Sequence, residues 1–194
     1  CDIDALPADG YRPVDRGLLP SAPAVAMLCA SRRSTRVYKA DPVPREILSA
    51  VLDAARYAPS AKNQQALRFI CLGRAALREL GVRLAERLEE PDATALIAEA
   101  KGLARAWKTG VDLIFRGAPH TIFVVGPQGN RWTLQDAAGT AAYIELAALP
   151  HKLGCCWAGY AVSLLDGDAG LRESIGLRPG ETVLAAQMIG YMGL

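Results

Sequence analysis

Ser31-Arg-Arg-Ser-Thr-Arg-Val-Tyr38, then a helix, then Ala58-Pro-Ser-Ala-Lys-Asn-Gln-Gln65 is the stretch from which the rest of the chain is read. Between its two polar clusters Ile47, Leu48, Val51, Leu52 and Ala55 recur at helical spacing, which makes one apolar stripe. Pro44 suits a first-turn position, where its missing N–H is not needed, so the spacing predicts a helix from about Pro44 that stops before Pro59. The leading cluster carries Arg32, Arg33 and Arg36 around two hydroxyls, donors suited to an anionic group such as a phosphate. The trailing cluster offers Ser60, Asn63 and Gln65, neutral groups that donate and accept. Charge at one end and amide chemistry at the other fit a ligand with an anionic tail and a polar heterocyclic head. From spacing alone the arginines also read as a solvated surface cluster, Ser60 as a turn or helix-terminus residue, and Asn63 and Gln65 as ordinary loop groups.

Composition narrows the classes. The 194 residues, 51% of them hydrophobic, suit one domain with a sizeable core. Lys and Arg number 22 against 20 Asp and Glu, so no electrostatic footprint argues for nucleic acid or an anionic membrane, and a small-molecule ligand is expected. No apolar run reaches the roughly 18 residues of a transmembrane helix, and Cys-Asp-Ile-Asp lacks a basic signal-peptide start, so a cytoplasmic protein is expected. Cys1, Cys29, Cys71, Cys155 and Cys156 are odd in number without a Cys-x-x-Cys pair, which argues for reduced thiols rather than a disulfide framework or zinc site. His120 and His151 lack metal-ligand spacing. No Gly-x-Gly-x-x-Gly or Gly-x-Ser-x-Gly supports a Rossmann nucleotide site or an acyl-transfer triad, so the hard chemistry falls to a cofactor and no catalytic side chain is assigned.

Taken in order, residues 1–22 are punctuated by Pro7, Gly10, Pro13, Gly17 and Pro20 and read as a linker or extended arm, with residues 23–194 as the ligand-binding domain. Helices are expected over about Pro23–Arg32, Arg74–Glu90 and Asp92–Gly110, the last two as an insertion or cover. Leu67–Leu72 and Thr121–Val125 read as strands, the second central and buried. The Ala-rich run from about Leu134 to Leu149, stopped by Pro150, carries Ala138, Gly139, Ala141 and Ala142, which allow close approach of a partner and make it the candidate dimer-core helix. A short helix around Leu171–Ile175 precedes a strand over Thr182–Ile189. This order indicates an α+β sandwich of helices on a small, mostly antiparallel sheet.

Flavin mononucleotide (FMN) is a ligand of the kind described, and the two opening motifs, with the spacing between them, resemble those of the nitroreductase family of FMN flavoproteins. The resemblance runs from about Ser31 to Tyr191, and where the family often has Pro-Trp after Asn-x-Gln this chain has Ala66-Leu67. It implies the nitroreductase fold, an FMN-dependent oxidoreductase and a homodimer. It places Arg32, Ser34 and Arg36, with Arg33 beside them, at the phosphate and ribityl chain. Pro59, Ser60, Asn63 and Gln65 would come from the partner subunit's copy of the second motif. A third segment, Gly154-Cys-Cys-Trp-Ala-Gly-Tyr160, matches the one passing beside the flavin's central ring, with Trp157, Ala158 and Gly159 in contact. Glycine lets main chain approach a planar ligand, and a backbone N–H there suits the flavin N5. Core packing is the other reading of Trp157, and buried small hydrophobes the other reading of Cys155 and Cys156.

The implied activity passes electrons from NAD(P)H or ferredoxin to a small conjugated acceptor such as a nitroaromatic or quinone. A flavin-binding or electron-transfer module without turnover is the alternative. Asp2-Ile-Asp-Ala-Leu-Pro7 resembles the junction downstream of an iron–sulfur ferredoxin module in fused family members, which favours ferredoxin as donor and slow reduction by NADH and NADPH.

Overall fold

The computed structural model describes residues 2–3 and 14–193. Five strands, β1 (Asp2–Ile3), β2 (Arg68–Gly73), β3 (His120–Pro127), β4 (Leu153–Trp157) and β5 (Glu181–Tyr191), form one sheet in the order β1-β2-β3-β5-β4. All of their pairings are antiparallel. Strand β3 is central, as its β-branched and aromatic run requires, and its side chains alternate between two cores. Ile122 and Val124 face one cluster with Leu48, Val51, Ala141 and Ile144. Phe123 and Val125 face another with Leu77, Leu84, Leu164 and Leu165. The architecture is therefore the expected α+β one, a sheet covered by helices on both faces.

The helices are α1 (Ala22–Ser31), α2 (Arg45–Ala55), α3 (Arg74–Arg87), α4 (Ala93–Leu96), α5 (Ala100–Lys108), α6 (Thr133–Ala148), α7 (Gly159–Asp166) and α8 (Ala169–Ser174). In α2 the apolar stripe is buried at Leu48, Val51, Leu52 and Ala55, and Pro44 caps the helix from an extended conformation rather than sitting inside its first turn. Helix α6 ends where expected, at Pro150, which falls in a 3₁₀ turn over Leu149–His151. The single run expected over about Asp92–Gly110 is two helices, because Ile97 leaves helical geometry (φ −141°, ψ 116°) and buries its side chain. Ile97 and Glu99 of that break line a cleft together with the start of α7. Pro7 and the rest of residues 4–13 lie outside the described residues, and Asp2 and Ile3 pair with Ile70 and Phe69.

The first arginine motif meets the outer edge of β4 at Ser34 and Thr35 and the end of β5 at Tyr38 and Lys39. Ser34 bridges Cys155 in parallel fashion, the Thr35 N–H donates to the Cys155 carbonyl at 2.8 Å, and Tyr38 bridges Met192. The Lys39 N–H donates to the Tyr191 carbonyl at 2.9 Å. Close approach here depends on Gly154. A Cβ at that position would meet Thr35 Oγ1 at 2.0 Å.

One polar tie crosses the far end of the sheet. Arg68, 5% exposed, donates from Nε to Glu181 Oε1 at 3.1 Å, from Nη2 to Glu181 Oε2, and from Nη2 to the Gly176 carbonyl at 3.0 Å. Burial raises the Glu181 carboxyl, but the Arg68 hydrogen bond and the Arg178 N–H outweigh it and hold the group below its ordinary value. Because the folded value is the lower one, the stabilisation is present at neutral pH and is lost as pH falls through that value. Arg68→Met leaves the carboxylate without its main partner and is expected to cost about 3 kcal/mol in urea unfolding at pH 7. The deficit should shrink on acidification, and a pH-independent deficit would contradict this account.

Candidate flavin site

Strand β4 hands the chain directly to α7, and this junction builds the site. Ala158 leaves strand geometry (φ −94°, ψ 57°) as the cap of α7 without a side-chain cap bond. Its N–H is used by the Ala186 carbonyl at 2.9 Å, which fixes the junction to β5. The first N–H groups of α7, beginning at Gly159, are left for a ligand or solvent. A Cβ built on Gly159 meets nothing within 4 Å, so the main chain there faces open space.

That space is a cleft of about 500 Å³ whose lining includes Arg36, Arg116, Trp157, Gly159, Tyr160 and Ser163. Ile97 and Glu99, from the break between α4 and α5, close it on another side. Arg36 of the first motif and Trp157, Ala158 and Gly159 of the third therefore share one wall system. Trp157 is 44% exposed, which removes the core-packing reading for it. Cys155 is buried, and burial first, then Glu145 and Cys156, pushes its thiol well above the ordinary value, so it holds its proton and is no thiolate nucleophile. Among the described residues no cluster of His, Cys, Asp and Glu is arranged to hold a metal ion.

The other residues of the first motif lie outside this lining. Ser34 is exposed on the edge of β4. Arg33 is exposed and donates from Nη1 to the Ala30 and Arg32 carbonyls at 2.8 and 2.7 Å. Arg32 reaches α6, where its Nη1 donates to Glu145 Oε2 at 3.0 Å. Glu145 is buried and also accepts at Oε1 from Gln187 Nε2 at 3.1 Å. Sequence reasoning missed this carboxylate, whose signal was an acidic residue placed inside an apolar helix.

Pro59, Ser60, Asn63 and Gln65 do not line the cleft of their own chain. Their loop packs on the N-terminal part of α6, where the Ala61 N–H donates to Asp136 Oδ1 at 3.0 Å. Ser60 Oγ accepts from the Gln65 N–H at 3.0 Å, and Gln65 Nε2 donates to Asn63 Oδ1 at 3.3 Å. Lys62, Asn63 and Gln65 all hold positive φ (54°, 52° and 47°). Such conformations cost of order 1–3 kcal/mol each and persist where the surroundings fix them, a pattern concentrated at ligand-binding loops.

The outer face of α6 leaves Leu134, Ala138, Ala142 and Tyr143 exposed, and Gly139 has nothing within 4 Å of an added Cβ. Helix α1 has no buried residue although Val25 and Met27 are apolar. No helix among the described residues is long and apolar enough to cross a membrane.

The fold has counterparts among solved structures. The structure of a nitroreductase with bound FMN from Bacteroides fragilis aligns at a TM-score of 0.77 and 22% identity, covering 87% of this chain and 88% of that one. A nitroreductase with bound FMN from Desulfitobacterium hafniense aligns at 0.73 and 23%, covering 87% and 89%. The FMN-dependent nitroreductase NfnB from Mycobacterium smegmatis, in complex with NADPH, aligns at 0.65 and 20%, covering 88% of each chain. The sequence model described as "Nitroreductase family" matches residues 29–191, which is most of the chain, and the chain therefore belongs to the nitroreductase family.

Proposed function

We propose that the protein is an FMN-dependent oxidoreductase that passes electrons from a nicotinamide nucleotide or a ferredoxin to a small conjugated acceptor, such as a nitroaromatic or a quinone. The observation that carries this reading is the side-chain-free surface at Gly159, at the start of α7 and in one cleft with Arg36. A planar ring needs such a surface, and any larger residue would fill it. Bound there, FMN supplies the redox chemistry that no side chain of this site supplies. The chain's own tasks are to bind, to orient and to keep out water. Gly159 would offer its N–H to the ring, Arg36 would meet the anionic phosphate and ribityl portion, and the α4–α5 break, which lines the same cleft, would form a cover.

The site is shared between two copies. The Pro59–Gln65 loop is held in a strained, ordered form away from its own cleft, and the small-residue face of α6 offers the surface on which a second copy would bring it to the neighbouring cleft. Ser34, at the β4 edge beside Cys155, and Arg32 and Arg33 just before it would meet the phosphate end of the ligand.

The absorption spectrum of the purified protein tests the cofactor directly, since bound flavin is yellow and a colourless protein that takes up no FMN ends the reading. Anaerobic stopped-flow mixing with NADH, NADPH and reduced ferredoxin tests turnover, and a flavin that none of them bleaches leaves only a storage module. Arg36→Ala is expected to weaken FMN by about tenfold or more and riboflavin little, because a charge-assisted bond to a phosphate contributes about 1.5–3 kcal/mol. Equal losses for both ligands in fluorescence titration would place Arg36 elsewhere.

A further inference from the structure

Arg36 and Arg116 are the cations that line the cleft, and among the described residues neither makes a hydrogen bond or an ion pair with another side chain. Glu99 also lines the cleft without pairing to them. The two arginines come from different segments, one in the first motif and one in the turn before β3, yet both line this cleft. Burial first, and then Cys155 and Cys156, oppose ionisation of the Tyr38 phenol, while Arg116 and Arg36 both act on it in the other direction. The Tyr38 hydroxyl is occupied by the Thr35 carbonyl at 2.7 Å, so it leaves both guanidiniums unanswered.

The backbone around Arg116 is fixed. Arg116 holds φ +54° and Gly117 φ +67°. Asp112 gathers the turn from within, accepting at Oδ1 from the Ile114 and Phe115 N–H groups at 3.0 and 2.8 Å and at Oδ2 from the Gly117 N–H at 3.1 Å. Ile114 and Phe115 are buried on its inner side. A non-glycine residue kept in the left-handed region by this many bonds, with its charged end at the cleft, is placed rather than tolerated. Two like charges in the lining of one cleft repel, and a dianion that pairs with both would remove the repulsion.

We propose that Arg116, with Arg36, clamps the phosphate of FMN, so that the group is held by guanidiniums from two separate segments. This rests on the flavin reading above and adds to it a residue that neither opening motif contains. Planar guanidiniums suit phosphate oxygens, and two of them match the double charge better than one.

The test is titration of FMN and of riboflavin into protein stripped of flavin, for wild type, Arg116→Asn and Arg116→Lys. Asparagine tolerates positive φ, so the turn is not strained by the change. Arg116→Asn is expected to weaken FMN about tenfold or more and to leave riboflavin within about twofold, and Arg116→Lys to recover part of the loss. The thermal midpoint of the stripped protein should match wild type for both variants. If Arg116→Asn leaves FMN within about twofold, or weakens both flavins alike, the clamp is refuted. The two readings fail separately: a wild type that binds neither flavin ends the flavin assignment, whereas a wild type that prefers FMN and an Asn variant that prefers it equally ends only the role of Arg116.

Discussion

Replacing Ala142 with Arg should turn the protein into a monomer and, with the same change, lower its affinity for FMN by about a hundredfold. Ala142 lies on the exposed side of α6, one turn from Ala138 and Gly139 and beside Tyr143. In a two-fold assembly that surface meets itself, so one substitution places two guanidiniums at the contact. Burying unpaired charge costs several kcal/mol. The flavin loss follows from the proposed shared site, because Pro59–Gln65 do not line the cleft of their own chain and on that proposal would serve the cleft of a partner. Sedimentation velocity and flavin fluorescence measure the two effects together, with far-UV circular dichroism as the check that the helices persist. A dimer that retains FMN, or a monomer that binds it as tightly as wild type, would show that the outer face of α6 is not the assembly surface or that the second motif does not serve the site.

Gly154→Ala should be the most damaging of the conservative changes. The added methyl would lie 2.0 Å from Thr35 Oγ1, 2.7 Å from Thr35 Cβ and 2.8 Å from Met192 Cγ. Thr35 cannot move alone, since its N–H is bonded to the Cys155 carbonyl at 2.8 Å. The whole arginine segment must therefore shift away from β4. Overpacking of this kind costs about 1–3 kcal/mol, and each kcal/mol lowers Tm by about 2–4 °C at this size. FMN affinity should fall as well, by about tenfold or more, because Ser34 and Arg36 flank Thr35. Gly102→Ala is the matched control. Its Cβ meets nothing within 4 Å on α5, so the change should stabilise by about 0.5–1 kcal/mol. A Gly154→Ala protein as stable and as flavin-bound as wild type would mean that the edge segment accommodates freely.

Much of this was legible in the chain because it depends on local pattern. The stripe of α2, the β-branched run of β3 and the Ala-rich length of α6 each carry their own period, and all three formed where the period placed them. The break at Ile97 was not legible, since an apolar residue fits a helix equally well until tertiary packing draws it inward. Strand β4 was seen as a ligand segment rather than as a strand, because Leu-Gly-Cys-Cys-Trp is short and nearly unalternating. In the site, the arginines of the first motif announced themselves by clustering, and Gly159 by its motif. Arg116 did not, because a lone cation ahead of a strand acquires meaning only when the fold sets it in the same cleft lining as Arg36. Arg32 and Glu145 are 113 residues apart in sequence and meet through the packing of α6, which no local pattern reports.

The arginine segment's place along β4 has a consequence for the molecule outside its cleft. Strand β4 ends the sheet, and an uncovered last strand offers its free N–H and C=O groups as a template for another chain. Here Ser34 and Thr35 cover the middle of that row at Cys155, and the segment then crosses to the end of β5, where the Lys39 N–H takes the Tyr191 carbonyl. The stretch proposed to read the ligand is thus also a guard of the sheet border, and a change that loosens it at Ser34 and Thr35 exposes a surface for strand-to-strand association.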